Sequence, residues 1–198
     1  MERVSTVWLL SLVSLFAVGK MHSQKIQTDK NQKDATAYTQ KANNDLLSYL
    51  PFSDKTDYEN AKRGLIATIP EGNIKDAKGN VVYDMKQYDF IKGTAPATAN
   101  PSLWRQSELN SINGLFEVKK GSIYQIRGFD LANMTLVAGK TGWIIIDPLL
   151  SPETSKAGLA LANEKIGKKP VAAIIITHSH IDHFGGIRGV VDEKDVKS

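Results

Sequence analysis

Three of the four histidines of this 198-residue chain fall within six residues, in the string Thr177-His178-Ser179-His180-Ile181-Asp182-His183-Phe184-Gly185-Gly186. The chain contains no cysteine, so there is no disulfide framework and no thiol nucleophile. Any transition metal must be held by imidazole and carboxylate. In extended backbone, side chains two apart point the same way, so His178 and His180 can grip one cation while Ser179 faces away. Asp182 and His183 lie where the chain must turn. Adjacent side chains diverge, so this pair addresses a second position beside the first. Zinc suits such a donor set, with manganese or iron as alternatives. A purely structural role for three imidazoles and a carboxylate is disfavoured, because burying them unpaired is costly. Ser179 lacks the G-x-S-x-G surroundings of a nucleophile elbow.

The elements around this string must deliver it to a surface. Residues 171–176 form a continuously apolar run that leads directly into it, as does Trp143-Ile144-Ile145-Ile146 before Asp147. Both read as strands covered on two faces, and a cluster at the C-terminal end of such a strand stands where α/β sheets place their sites. Gly185 and Gly186 permit close backbone approach as a helix begins. Between the two apolar runs, Pro148 and Pro152 precede a helix over 153–166, stopped by Gly167. Further strands are expected at 115–118, 123–126 and 134–138, separated by glycine-containing turns.

Upstream, apolar spacing predicts a helix over 36–50, ended by Pro51. Thr56 and Glu59 form a T-x-x-E pattern that reads as a capping box opening a second helix through Lys62. Asn73-Ile74 and Val81-Val82-Tyr83 flank a Lys78-Gly79-Asn80 turn, a hairpin signal. Residues 93–101 read as loop, and Pro101 suits the first turn of a helix to Leu109.

Composition narrows the class. With 41% hydrophobic and 23% charged residues the chain can build a core. A net charge of +4 with scattered basic residues gives no reason to expect nucleic acid as a partner. Near the start, Arg3 precedes an apolar run of 12 residues at 7–18, followed by Gly19 and Ser23. That run is short of the roughly 20 residues a bilayer span needs. It has the parts of a secretory signal peptide. Three parts are therefore expected. They are a signal peptide at 1–23, an N-terminal extension with helices and a hairpin at 24–112, and a metal-binding α/β unit at 113–198. The mature chain would be secreted or periplasmic, without stable membrane insertion.

The H-x-H-x-D-H-x-G-G string after an apolar strand resembles the metallo-β-lactamase superfamily. Four further stretches narrow this to its linear alkyl sulfatases: 100–106 (NPSLWRQ), 114–118 (GLFEV), 124–135 (YQIRGFDLANMT) and 142–149 (GWIIIDPL). The resemblance implies an αββα sandwich, of which 113–198 would be the N-terminal half. It also implies two zinc ions, with His178 and His180 on one, and Asp182 and His183 on the other. The implied reaction is hydrolysis of a primary alkyl sulfate such as dodecyl sulfate to fatty alcohol and sulfate, with Asp182 orienting the attacking water. In that family the hydrolase domain is followed by a helical dimerisation domain and a sterol-carrier-like domain, so a homodimer is implied for the full-length form. The family's remaining metal ligands lie further downstream than Ser198, so the chain reads as the N-terminal fragment of a longer enzyme. Two other readings stand beside this one. The chain could be an inactive metal-binding half-domain, or another hydrolase of the superfamily such as a lactonase or phosphodiesterase.

Overall fold

The computed structural model describes residues 33–196. The signal-peptide reading at 1–23 and most of the polar leader lie outside the described residues.

The centre of the fold is a six-stranded mixed sheet. Its strands are β1 (Leu65–Ala67), β4 (Gly114–Lys119), β5 (Ile123–Arg127), β6 (Met134–Ala138), β7 (Trp143–Ile146) and β8 (Val171–Ile175), in the spatial order β1-β4-β5-β6-β7-β8. The first five pair antiparallel. The last pair, β7 and β8, is parallel and needs a crossover, supplied by helix α4 (Pro152–Lys165).

Alternation along the strands decides which face the helix covers. Leu115, Ile126, Met134, Leu136 and Ile145 stand in register across β4 to β7 and are fully buried. Leu161 and Ala162 of α4 join them in one core. Gly158 lets the helix approach closely, since a Cβ there would come within 2.9 Å of Met134 Cε and 3.1 Å of Ile126. Trp143 is anchored by its indole N–H, which donates to Asn163 Oδ1 at 2.8 Å.

The opposite face differs. Phe116 is buried beneath the Arg127 guanidinium, 4.4 Å from the ring centre, but Ile144 and Ile146 are only half-buried. Among the described residues, the expectation that both apolar strands are covered on two faces is not met. Strand β7 alternates buried and half-buried, and Ala172, Ala173 and Ile175 of β8 are exposed. The reason is position: β8 is the outermost strand, bonded on one side to β7 alone.

The stretch expected as an N-terminal extension is partly built into this unit. It supplies β1 to the sheet, and a hairpin of β2 (Asn73–Lys75) and β3 (Val81–Asp84) whose Ile74 joins the core. Among the described residues, two helices precede β1 and a third lies between β3 and β4. Helix α1 (Ala37–Tyr49) is capped by Thr36, whose Oγ1 accepts from Thr39 N, and α3 (Pro101–Asn110) by Asn100, with Pro101 in its first turn. The capping box expected at Thr56 does not form. Helix α2 (Thr56–Lys62) starts at Thr56 itself, and the Thr56 amide donates to Asp54 Oδ1 at 2.8 Å. The amide that the Glu59 carboxylate would bond in that box is already taken by Asp54, two residues earlier, and the Glu59 amide donates to Lys55 O at 3.1 Å. No helix among the described residues is long and apolar enough to cross a membrane.

Candidate metal centre

Strands β7 and β8 end side by side, and each hands a residue to the site. Asp147 follows β7, with its amide bonded to Ile175 O at 3.0 Å, and Thr177 follows β8. Asp147 Oδ1 accepts from the Thr177 amide at 2.8 Å and Oδ2 from the Thr177 hydroxyl at 2.7 Å. The hydroxyl has one hydrogen and donates it to Asp147. At 2.9 Å from His178 Nδ1 it therefore acts as acceptor. That bond places the proton of His178 on Nδ1 and leaves Nε2 as an acceptor facing His180.

The four motif residues meet as two pairs. His178 Nε2 and His180 Nδ1 lie 2.9 Å apart, as the same-side rule for extended chain requires. A 3-10 turn at Ile181–His183 then reverses the chain and puts His183 Nε2 3.4 Å from Asp182 Oδ2. The His178 and His183 ring centroids are 4.0 Å apart, so the pairs are neighbours. His178 and His180 are exposed, whereas Asp182 and His183 are half-buried.

The donors fit zinc. Two ligands at tetrahedral zinc bond lengths of about 2.0–2.1 Å stand about 3.3 Å apart. The Asp182–His183 pair matches that spacing and the His178–His180 pair is slightly closer. Among the described residues no three donors converge on a single point.

Asp147 acts behind these donors. It is 7% exposed, and its Oδ2 lies 2.9 Å from His183 Nδ1. The approach is off the ring N–H axis and leaves that buried nitrogen without a directed bond. Burial pushes the Asp147 carboxyl up. The amide and hydroxyl of Thr177, with the His183 ring, outweigh it and hold the group below the usual carboxylate range. An ionised acid beside an imidazole is the kind of group that orients the ring once the ring N–H is turned toward it.

The far end of the motif is fixed by backbone. The Gly186 amide donates to Leu149 O at 2.9 Å. A Cβ on Gly186 would collide with Pro148 O, and one on Gly185 with Leu150 O. Only glycines let the chain lie so close to the 147–152 turn.

All four residues singled out by sequence are thus brought together. The roles of Asp147 and Thr177 were not read from the sequence. The available signal was an acid directly after one apolar strand and a hydroxyl residue directly after the next, which become neighbours only when the two strands pair in parallel.

Comparison with known proteins identifies relatives of the chain. Residues 127–198 match the family model of the metallo-beta-lactamase superfamily. A linear primary-alkylsulfatase from Pseudomonas sp. is 52% identical over 194 residues, covering 97% of this chain and 29% of that protein. An (R)-specific secondary-alkylsulfatase from Pseudomonas sp. is 50% identical over 169 residues, covering 85% of this chain and 25% of that protein. The alkyl/aryl-sulfatase BDS1 of Saccharomyces cerevisiae is 43% identical over 182 residues, covering 91% of this chain and 28% of that protein. The solved structure of the stereoselective inverting sec-alkylsulfatase Pisa1 from Pseudomonas sp. superposes with a TM-score of 0.77 at 51% identity, covering 83% of this chain and 26% of that one. The chain spans less than a third of the length of these relatives.

Proposed function

This chain belongs to the metallo-β-lactamase superfamily and is related to its alkylsulfatases, and from that premise we propose that it serves zinc-dependent hydrolysis of primary alkyl sulfate esters. The observation that carries the reading is the gathering of the four motif residues after β8, beside Asp147 at the end of β7, with His178 beside His180 and Asp182 beside His183. In the reaction a water oxygen is added and the ester is split. R–O–SO3⁻ and H2O give R–OH and hydrogen sulfate, which loses its proton at neutral pH. When bound, zinc supplies Lewis-acid activation of water and neutralises the charge of the sulfate.

The chain's own residues do the positioning. Thr177 fixes the His178 tautomer, Asp147 stands behind His183, and Asp182, half-buried beside His183, would accept a hydrogen bond from the attacking water. The rest of each metal's coordination is proposed to come from polypeptide additional to these 198 residues, in keeping with the chain's 29% share of its relative's length. On that reading the chain alone holds zinc weakly and turns over no ester. The apolar run at 7–18 supports a reaction outside the cytoplasm.

The test is sulfate release from dodecyl sulfate by a zinc-loaded polypeptide that carries this chain at the full length of its relatives. Turnover there and none from the 198 residues alone is the expected result. Normal zinc uptake without sulfate release from the full-length form contradicts the substrate assignment.

A further inference from the structure

The turn that cradles Gly185 and Gly186 is itself an unfavourable piece of backbone. Asp147 and Leu149 both adopt left-handed φ values, 55° and 63°, which residues bearing a Cβ keep only where their surroundings impose it. The Asp147–Thr177 bonds fix one end of the turn. The other end is held by a residue that ligates nothing in the reading above.

Asp130 lies in the loop between β5 and β6 and is 7% exposed. Its Oδ2 accepts from the Leu150 amide at 3.0 Å and from the Thr154 hydroxyl at 2.5 Å, and its Oδ1 accepts from the Ala132 amide at 3.2 Å. Burial pushes this carboxyl above its usual range against the pull of those three bonds, and the nearby charge of Asp182 pushes the same way. A costly buried acid has to be explained by what it holds.

What it holds leads to the motif. Thr154 is 2% exposed, and its hydroxyl oxygen also accepts from the Ser151 amide at 3.3 Å, closing the cap of α4. The next residue, Ser155, is fully buried and donates from Oγ to Gly186 O at 2.5 Å. Leu149, beside the Leu150 amide, carries the carbonyl that receives the Gly186 amide.

We propose that Asp130 is a positioning residue of the metal centre. Through the Leu150 amide and the Thr154 hydroxyl it locks the 147–152 turn onto which Gly185 and Gly186 dock, and so sets the donors from His178 to His183. Its consequence at the metal rests on the proposed function; the link from Asp130 to Gly186 does not.

The test is native-state amide exchange followed by NMR on the metal-free 198-residue chain, together with zinc calorimetry on a polypeptide that carries this chain at the full length of its relatives. Asparagine offers one oxygen where Asp130 uses two, and valine has no hydroxyl. Asp130→Asn and Thr154→Val are each expected to speed exchange at the Gly186 amide at least about tenfold, with the β4–β5 ladder changed less than about twofold, as for an opening confined to one region. Thr154→Ser, which keeps the donor, is expected to exchange as the parent does. Leu161→Ala, a core truncation away from the turn, is expected to lower the melting temperature without selective loss at Gly186. Zinc affinity is expected to fall at least about threefold in Asp130→Asn and Thr154→Val, less than the about 10–100-fold of losing a partner bonded to a ligand itself. Unchanged Gly186 exchange in both variants, or equal loss in Thr154→Ser, overturns the proposal. So does parental zinc affinity in a variant whose Gly186 is deprotected. If the full-length parent takes up no zinc, the metal reading falls, and Gly186 exchange alone decides on Asp130.

Discussion

The two ends of the described chain are held together in opposite ways. From Gly114 onward, strands β4 to β7 and helix α4 share a core whose central side chains are fully buried. In the helical region before it, neither α1 nor α2 has a buried residue, and Tyr38 and Tyr49 are more than four-fifths exposed. That region is clasped by polar contacts instead. Arg105 Nη1 donates to Asp57 Oδ2 at 2.9 Å, the Tyr58 hydroxyl to Glu108 Oε2 at 2.5 Å, and the Trp104 indole to Gly93 O at 3.1 Å. Strained backbone and pre-oriented imidazoles occur only on the first side. A packed core can impose left-handed φ at Asp147 and Leu149; a set of exposed clasps has no stabilisation to spare for it.

If that contrast is right, damage should grade from one region to the other. The largest effect is expected at the donors. His180→Ala in the full-length, zinc-loaded enzyme should lower sulfate release by more than about 100-fold, since even a partner behind a ligand costs about 10–100-fold. Metal analysis of the same sample should show the loss of zinc. Next comes the core: Leu136→Ala should cost about 2–5 kcal/mol in urea unfolding, as truncation of a fully buried leucine does. Gly186→Ala should cost about 1–3 kcal/mol, because its Cβ has to displace Pro148 O, and zinc affinity should fall with it. At the other extreme, Asp57→Ala removes an exposed partner of Arg105 and should cost no more than about 1 kcal/mol, with zinc affinity unchanged. A large loss of zinc affinity in Asp57→Ala would erase the contrast between the regions.

A pH experiment sharpens the same comparison. The folded-state carboxyl of Asp130 sits above its unfolded value, so the native state binds the extra proton. Its contribution is fully present below the usual carboxylate range and falls as pH rises through the higher folded value. The stability gap between the parent and Asp130→Asn should therefore narrow as pH rises from 4 to 7. A gap that widens over that window would mean the buried acid ionises more readily than its surroundings imply.

The sequence made the local features legible and left the long-range ones hidden. The alternation in 123–138, the apolar runs before Asp147 and Thr177, Pro101 at a helix start and the Lys78-Gly79-Asn80 hairpin turn all carry their structure in neighbouring residues, and the strands and helices form where expected. The His178–His180 pairing was readable for the same reason: two residues apart in extended chain is a local relation. The roles of Asp147 and Asp130 were not, because each depends on segments 20–30 residues away being brought alongside. The exposure of β8 follows from its place at the edge of the sheet, which an apolar run cannot announce. At Thr56 the pattern was right in kind and wrong in detail, since the neighbouring Asp54 carboxylate takes the amide the capping box would use.

The most direct test of the account is X-ray absorption at the zinc edge of the loaded full-length enzyme. The expected spectrum shows imidazole scattering with nitrogen and oxygen neighbours at about 2.0–2.2 Å and no sulfur, reduced in its imidazole part by His180→Ala. A shell of oxygen alone, unchanged by that substitution, would contradict it.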